Sequence, residues 1–202
     1  AVVTDEDGPS SAFLKAVGFR HAFRAERFEA DVEARAGEAA EVYERLRAKG
    51  RIPATARPVR LHEAPREPLL ELLAAPAGDV TARNPGLPHV EWSDRWRHAS
   101  ISDLSPVLML DDRPVGVVVA ERRGVDTALM KWRVVAPEHR MGWANIMLGC
   151  IAVDWMLRSG VRRTLFDSTT LTTDTERLTR LYGCPRIAVK DHWVLTLTGE
   201  RE

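Results

Sequence analysis

This chain is poor in cysteine. Its 202 residues hold two, Cys150 and Cys184. A pair so far apart makes no disulfide framework, so a reducing cytoplasm is the default expectation. Cys150 lies in an apolar helical run and reads as a small core residue. An excess of one charge is missing as well, because Lys+Arg and Asp+Glu both number 29 and the pI is near 7.2. That balance gives no support to nucleic-acid or polyanion binding. Nor is there a long hydrophobic run. The longest, Ile146 to Val153, is too short to cross a bilayer and is followed by Asp154, so no membrane span is expected. No secretory leader pattern is visible, and the first residue is Ala1 rather than Met, which leaves the natural start open. The length suits one ordinary domain, or one plus part of another.

What is present reads as alternating elements. Ala1–Thr4 is the end of a strand, Asp5–Pro9 a turn, and Ser10–Val17 a short helix stopped by Gly18. Phe19–Val32 makes one or two strands. Ala34–Lys49, rich in Ala, Glu and Arg, is a helix that stops at Gly50, and Arg51–Pro58 is a linker. Val59–His62 starts the main domain as a strand, followed by helices over Pro65–Ala75 and Val90–Ser100 with a loop between. Pro106–Leu110 and Pro114–Ala120 form a hairpin about Asp111-Asp112-Arg113, and Thr127–Val135 is the long central strand. Gly142–Ser159 is the main helix, Arg163–Asp167 a strand, Thr173–Leu181 a short helix, and Ile187–Leu197 the last strands.

The two ends resemble each other. Ala12 to Phe19 aligns with Arg177 to Cys184, so that Gly18 meets Gly183, 165 residues on, and Phe28 meets Trp193. Repetition at one domain length points to a tandem duplication whose first copy is cut short. A segment this small could not bury a core of its own, and must pack on the main domain or complete a neighbour's sheet.

The stretch from Lys131 to Leu148 organises the rest. A β-rich run breaks at Pro137, turns through a polar loop, and enters an apolar helix led by Gly142-Trp143-Ala144. A helix start after a strand offers unpaired amides and the positive end of the helix dipole, which suits a phosphate-bearing ligand. His139-x-x-Gly142-x-Ala144 in this setting resembles the diphosphate loop of the GNAT superfamily of acyl-CoA N-acyltransferases. The family pattern is Gln/Arg-x-x-Gly-x-Gly/Ala, and the chain departs from it with His139 at the first position. The element order over about residues 58–198 is similar to that family's too. The resemblance implies an α+β GNAT fold, with a central mixed, mostly antiparallel sheet flanked by helices. It divides the chain into 1–33, the C-terminal remnant of an upstream GNAT-like domain, a helix and linker over 34–57, and the GNAT domain over 58–202.

The same resemblance implies site residues. The pantetheine arm of an acyl-CoA would pair with the edge of the central strand, chiefly at Val134 and Val135. The diphosphate would lie over the amides of Met141, Gly142, Trp143, Ala144 and Asn145, with His139 or Arg140 adding charge. Only a small residue at position 142 lets the backbone approach closely. Acyl transfer needs a neutral amine, and at pH 7 a lysine-like amine holds its proton by roughly 4–5 kcal/mol. Some family members keep a glutamate in the central strand, but here Lys131 and Arg133 occupy that region. The remaining candidates for the base are Glu91 foremost, then Asp94 and Asp167. The family's thiolate-protonating tyrosine aligns with Thr179, so Tyr182, one helical turn on, is the substitute. Trp92, Trp96, His98 and Trp132 could wall an acceptor pocket, though Trp at helical spacing is more often core.

The expectation is therefore an acetyl-CoA (or other acyl-CoA) dependent N-acyltransferase acting on a small-molecule amine, with no metal. The Ala- and Arg-rich composition resembles that of high-GC bacterial proteins. A different class is a GNAT-fold module that binds CoA or nothing and serves as a structural or regulatory half of a tandem protein. The absent glutamate, Thr179 and the short repeat favour it. A transferase using aminoacyl-tRNA is disfavoured by the neutral charge. A homodimer, or a missing N-terminal GNAT half, is the expected partner.

Overall fold

A computed structural model of the chain describes residues 2–4, 9–73, 103–140, 142–169, 179 and 183–195. The first elements are β1 (Val2–Thr4), α1 (Pro9–Ala16), β2 (Arg20–Asp31), α2 (Val32–Ala48), β3 (Arg57–Arg60) and α3 (66–73). There follow β4 (Pro106–Leu110), β5 (Arg113–Arg122), β6 (Thr127–Val135), α4 (Trp143–Arg158), β7 (Arg163–Thr169) and β8 (Arg186–Val194). The α+β architecture and the mostly antiparallel pairing are as expected.

Two details differ from the sequence expectation. The segment read as one or two strands is the single strand β2, bulged in its pairing at His21/Phe23 and Arg27/Phe28. The strand placed at Val59–His62 runs instead over Arg57–Arg60, taking in the last two residues of the expected linker. There Glu63 turns the chain, its carboxylate accepting from the Arg60 amide at 2.8 Å and its amide donating to the Arg60 carbonyl at 3.0 Å. The expected helix over Val90–Ser100 lies outside the described residues, as does most of that over Thr173–Leu181.

The chain divides into two compact units. One comprises residues 30–77 and 91–166, and its strands run in the order β3-β4-β5-β6-β7. All of these pairs are antiparallel except β6–β7. Val115 and Val117 to Ala120 in β5 are all buried, so this strand is apolar on consecutive residues rather than alternate ones. Leu69, Leu72 and Leu73 of α3 and Met147, Leu148, Ile151, Ala152 and Met156 of α4 belong to the same core. Helix α4 approaches β5 closely at Gly116, where an added Cβ would come within 3.1 Å of Leu148 Cδ2. Helix α2, capped at its start by the Asp31 carboxylate accepting from the Ala34 amide, packs on α4.

The other unit comprises residues 1–29, 78–90 and 167–202. Here β8 pairs antiparallel with β1 and with β2. The two repeat segments share backbone features at their described residues. Gly18 (φ 89°) and Gly183 (φ 58°) both take the left-handed conformation that a helix C-terminus needs. The Phe19 amide donates to the Leu14 carbonyl at 2.9 Å, and the Cys184 amide to the Thr179 carbonyl at 3.0 Å. These are one hydrogen bond repeated 165 residues apart, and Leu14 and Thr179 are both buried. Side chains repeat too: His21 bonds Asp191 at 2.8 Å, and their counterparts Arg186 and Glu26 pair at 2.7 Å.

Candidate functional site

The site expected from the sequence starts on β6. One edge of this strand is paired with β5 from Ala128 through to Val135. On its other edge the parallel pairing with β7 covers Thr127 to Met130 and ends at the Met130–Phe166 register. The pairing with β7 thus ends five residues before β6 itself does. Where the pairing stops, β6 also bulges. Val119 faces Trp132 and Ala120 faces Met130, so Lys131 is an extra residue without a counterpart on β5. Bulges of this kind bend a strand and re-aim its side chains. Lys131 Nζ meets Glu121 Oε2 at 2.5 Å, and Arg123 reaches the same oxygen at 3.3 Å.

Beyond β6 the chain makes a tight turn. Ala136 still pairs with β5, its amide donating to the Val115 carbonyl at 2.9 Å. Pro137–His139 forms one turn of 3₁₀ helix, in which the His139 amide donates to Ala136 and the Arg140 amide to Pro137. Arg140 Nε donates back to the Val135 carbonyl at 3.2 Å, tying the loop to the end of the strand. The His139 ring lies 5.8 Å from that of Trp143, tilted by 59°.

Helix α4 then begins with Gly142 as its N-cap, in an extended conformation (φ −127°) and with no side-chain cap. The first-turn amides of Trp143, Ala144 and Asn145 meet no acceptor among the described residues, the condition under which a helix mouth receives an anion. Gly142 differs from the expectation. Its amide donates to the His139 carbonyl at 3.2 Å and so is already used. The backbone does not demand glycine there, and an added Cβ would meet nothing closer than His139 O at 3.7 Å. The smallness of this residue is thus not required by the protein's own packing.

The side chains of Val134, Val135 and Ala144 are buried, and those of His139, Trp143 and Asn145 half-buried. The structure therefore brings together, on one strand–turn–helix, every described member of the expected binding set. Met141, Glu91, Asp94, Trp92, Trp96, His98 and Tyr182 lie outside the described residues. Asp167 receives the Arg27 guanidinium through two bonds, at 2.7 and 2.8 Å. Both of its carboxylate oxygens are thus already engaged by the protein itself. A depression of about 400 Å³ lined by Arg60, Asp103, Trp155, Arg158 and Ser159 contains none of the expected site residues.

Sequence reasoning missed the bulge at Lys131, which pairing register alone reveals, and the return of Arg140 to Val135. It also missed Arg133, whose Nη2 donates to the Asn145 carbonyl at 2.8 Å. The one available signal was Gly149, a glycine inside an apolar helix.

No family model matches the sequence, and no curated protein does. Solved structures do match. One is a tandem GNAT protein of the clavulanic acid biosynthesis pathway, solved without acetyl-CoA. It is 18% identical, with a TM-score of 0.57 over 95% of this chain and 61% of its own. A GCN5-related N-acetyltransferase from Sphaerobacter thermophilus is 13% identical, with a TM-score of 0.58 over 94% and 56% respectively. The chain has the GNAT fold. At such identities the likeness extends to the fold alone. A conserved protein of unknown function from Staphylococcus epidermidis shares it as well, at 12% identity and a TM-score of 0.56 over 96% of this chain and 69% of its own. The chain thus spans about three-fifths of the length of the first two.

Proposed function

We propose that this protein is an acyl-CoA-dependent N-acyltransferase that moves an acetyl group from acetyl-CoA to the amine of a small molecule. The observation that carries it is the continuity from the part of β6 beyond Met130, where its pairing with β7 ends, into the uncapped mouth of α4. A strand edge offers amides and carbonyls to the two amide groups of a pantetheine arm, in the manner of an added strand. The amides of Trp143 to Asn145 fit the diphosphate. Each favourable charge–dipole placement contributes about 0.3–1 kcal/mol, so the hydrogen bonds carry more of the affinity than the dipole.

In the reaction the amine nitrogen attacks the thioester carbonyl, the C–S bond breaks, and the CoA thiolate leaves and takes up a proton. The amine gives up its proton to a base, for which Glu91 is the first candidate, and Tyr182 is the candidate acid. Acid–base assistance is worth roughly 10²–10⁴-fold, whereas orientation supplies effective molarities of about 10⁵–10⁸ M. Holding the thioester along β6 is therefore the larger contribution. Titration calorimetry with acetyl-CoA tests the binding step: micromolar affinity, lost in Gly142→Glu, is expected. Thiol release with a panel of amines then tests transfer. Heat-silent titration of the wild-type protein sinks the proposal.

The repeated hydrogen bond and ion pair of residues 14–26 and 179–191 favour a second reading. In it, residues 1–33 close an upstream GNAT-like copy, residues 58–202 are the second copy, and the chain is the structural half of a tandem assembly. Acetyl-CoA binding without thiol release to any amine would select it, and sedimentation would tell a homodimer from a monomer. The two unbridged cysteines keep a cytoplasmic location as part of the proposal.

A further inference from the structure

Gly149 stands in the second turn of α4, where glycine costs about 1 kcal/mol relative to alanine. Its backbone is ordinary helix. An added Cβ would meet a single described neighbour within 4 Å, Arg133 Nη2, at an ordinary contact distance of 3.6 Å, so the contact locates the guanidinium without itself requiring glycine. That same nitrogen donates to the Asn145 carbonyl at 2.8 Å. The guanidinium of this β6 residue therefore lies along the first two turns of α4, and its Nε is sealed from solvent. Its charge also reaches the next helical residue, pulling against the burial that pushes the Cys150 thiol upward.

In the helix ladder the Asn145 carbonyl pairs with the Gly149 amide. A carbonyl has two lone pairs, and a charged donor on the second polarises the chain of peptide dipoles that ends at the free amides of the mouth. Six residues of helix span about 9 Å, which puts the guanidinium within a Debye length of the mouth in a poorly screened setting. It also fixes a distance. Arg133 stands on β6 beyond the end of its pairing with β7, and Asn145 is one of the residues offering a first-turn amide, so one side chain joins the two parts of the site.

We propose that Arg133 is a positioning residue that makes the site select a carrier bearing a diphosphate over a truncated thioester, by holding the α4 mouth against β6 and adding a unit charge beneath it. It rests on the acyltransferase reading. The effect belongs to the phosphate end alone, because the strand edge would hold the pantetheine arm with or without this charge.

The test compares acetyl-CoA with the N-acetylcysteamine thioester of acetate, which lacks the nucleotide, on wild type, Arg133→Met and Arg133→Lys. Arg133→Met is expected to weaken acetyl-CoA binding roughly tenfold, the scale of a well-placed charge at a helix end. It should flatten the salt dependence of that binding and leave KM for the short thioester within about twofold, with Arg133→Lys in between. Equal losses on both thioesters would mean a merely structural role and overturn the proposal, as would no loss on either. Amide exchange at Trp143–Asn145 separates it from the function it rests on. Failure of the wild type to bind acetyl-CoA would remove the acyltransferase. Unchanged exchange in Arg133→Met would remove the positioning role, while faster exchange is the expected result.

Discussion

Ala25 and Lys190 face each other across the antiparallel β2–β8 pair, and they occupy the same position in the two halves of the internal repeat, 165 residues apart. An antiparallel pair in which a residue meets its own counterpart has a local two-fold axis through that point. His21–Asp191 and Arg186–Glu26 are one ion pair seen twice about this axis. The copies have diverged. Asp191 also accepts the Arg24 guanidinium, at 3.0 and 3.1 Å, whereas the counterpart of Arg24 is Val189.

Unequal costs of breaking the two pairs follow. The Asp191 side chain is 6% exposed and serves two partners, the Arg24 guanidinium and the His21 ring, while Glu26 is 29% exposed and faces an Arg186 exposed to 55%. Asp191→Asn is expected to lower unfolding free energy by about 1.5–3 kcal/mol, the range for hydrogen bonds to a charged group. Glu26→Gln should cost no more than about 1 kcal/mol, as exposed ion pairs do. Urea unfolding of both variants measures the difference, and equal losses would contradict it.

Acid should destabilise this unit in two stages. Burial, then the charge of Lys190, holds the His192 imidazole below its usual range as it stacks on Phe23 at 4.3 Å. The unfolded chain then binds the extra proton first, so stability falls as pH drops through about 6.5. The Arg24 hydrogen bonds, and after them the His21 bond, hold the Asp191 carboxyl low. Its contribution is complete above about pH 4 and is lost below that, down through the folded value. Midpoints of urea unfolding between pH 3 and 8 should show both stages, with His192→Gln removing the upper one. An unchanged upper stage in that variant would refute the assignment.

Two glycines separate packing from ligand approach. At Gly116 an added Cβ lies 3.1 Å from Leu148, a fully buried side chain with nowhere to move, so Gly116→Ala should cost about 1–3 kcal/mol. At Gly142 the nearest atom is at an ordinary 3.7 Å. Gly142→Ala should cost less than about 1 kcal/mol of stability, most of it from the weaker N-cap. It should nevertheless weaken acetyl-CoA binding at least tenfold, if a diphosphate lies against that backbone. Thermal melts and calorimetry on the same two proteins read both effects.

Element order was legible because each element carries its own signal, such as the consecutive valines of β5 or the glycines that stop α1 and α2. The strand–turn–helix of the site was legible for the same reason: Pro137, Gly142 and the apolar run after them are local features. Pairing between distant segments is not local. The β6 bulge at Lys131, the end of β7 pairing at Met130 and the reach of Arg133 to Asn145 depend on which strand lies beside which. The repeat is the exception, since the spacing of Gly18 and Gly183 already marked two turns that each make the same hydrogen bond.

The hairpin between β4 and β5 offers a stabilising change. Its turn places Asp111 and Asp112 at φ 47° and 62°, the left-handed pair of a type I′ turn. Asp-Gly and Asn-Gly are the preferred pairs there, because a side chain at φ above zero crowds its own backbone, and less so for Asp and Asn. Asp112→Gly gives up a 3.0 Å contact with Arg57, but that carboxylate is 90% exposed and its partner 56%. Such pairs contribute about 0–1 kcal/mol, commonly nearer zero. Relief of the left-handed strain is worth about 1–2 kcal/mol for an ordinary residue and less for Asp, and the greater freedom of glycine in the unfolded chain takes back roughly 0.5–1 kcal/mol. The net expectation is a gain of up to about 0.5 kcal/mol for Asp112→Gly, set against a loss of about 1 kcal/mol for Asp112→Val, where branching at Cβ makes positive φ hardest. Melting temperatures that rank Val above Gly at this position would show that the Arg57 contact and the turn conformation do not set the stability of this hairpin.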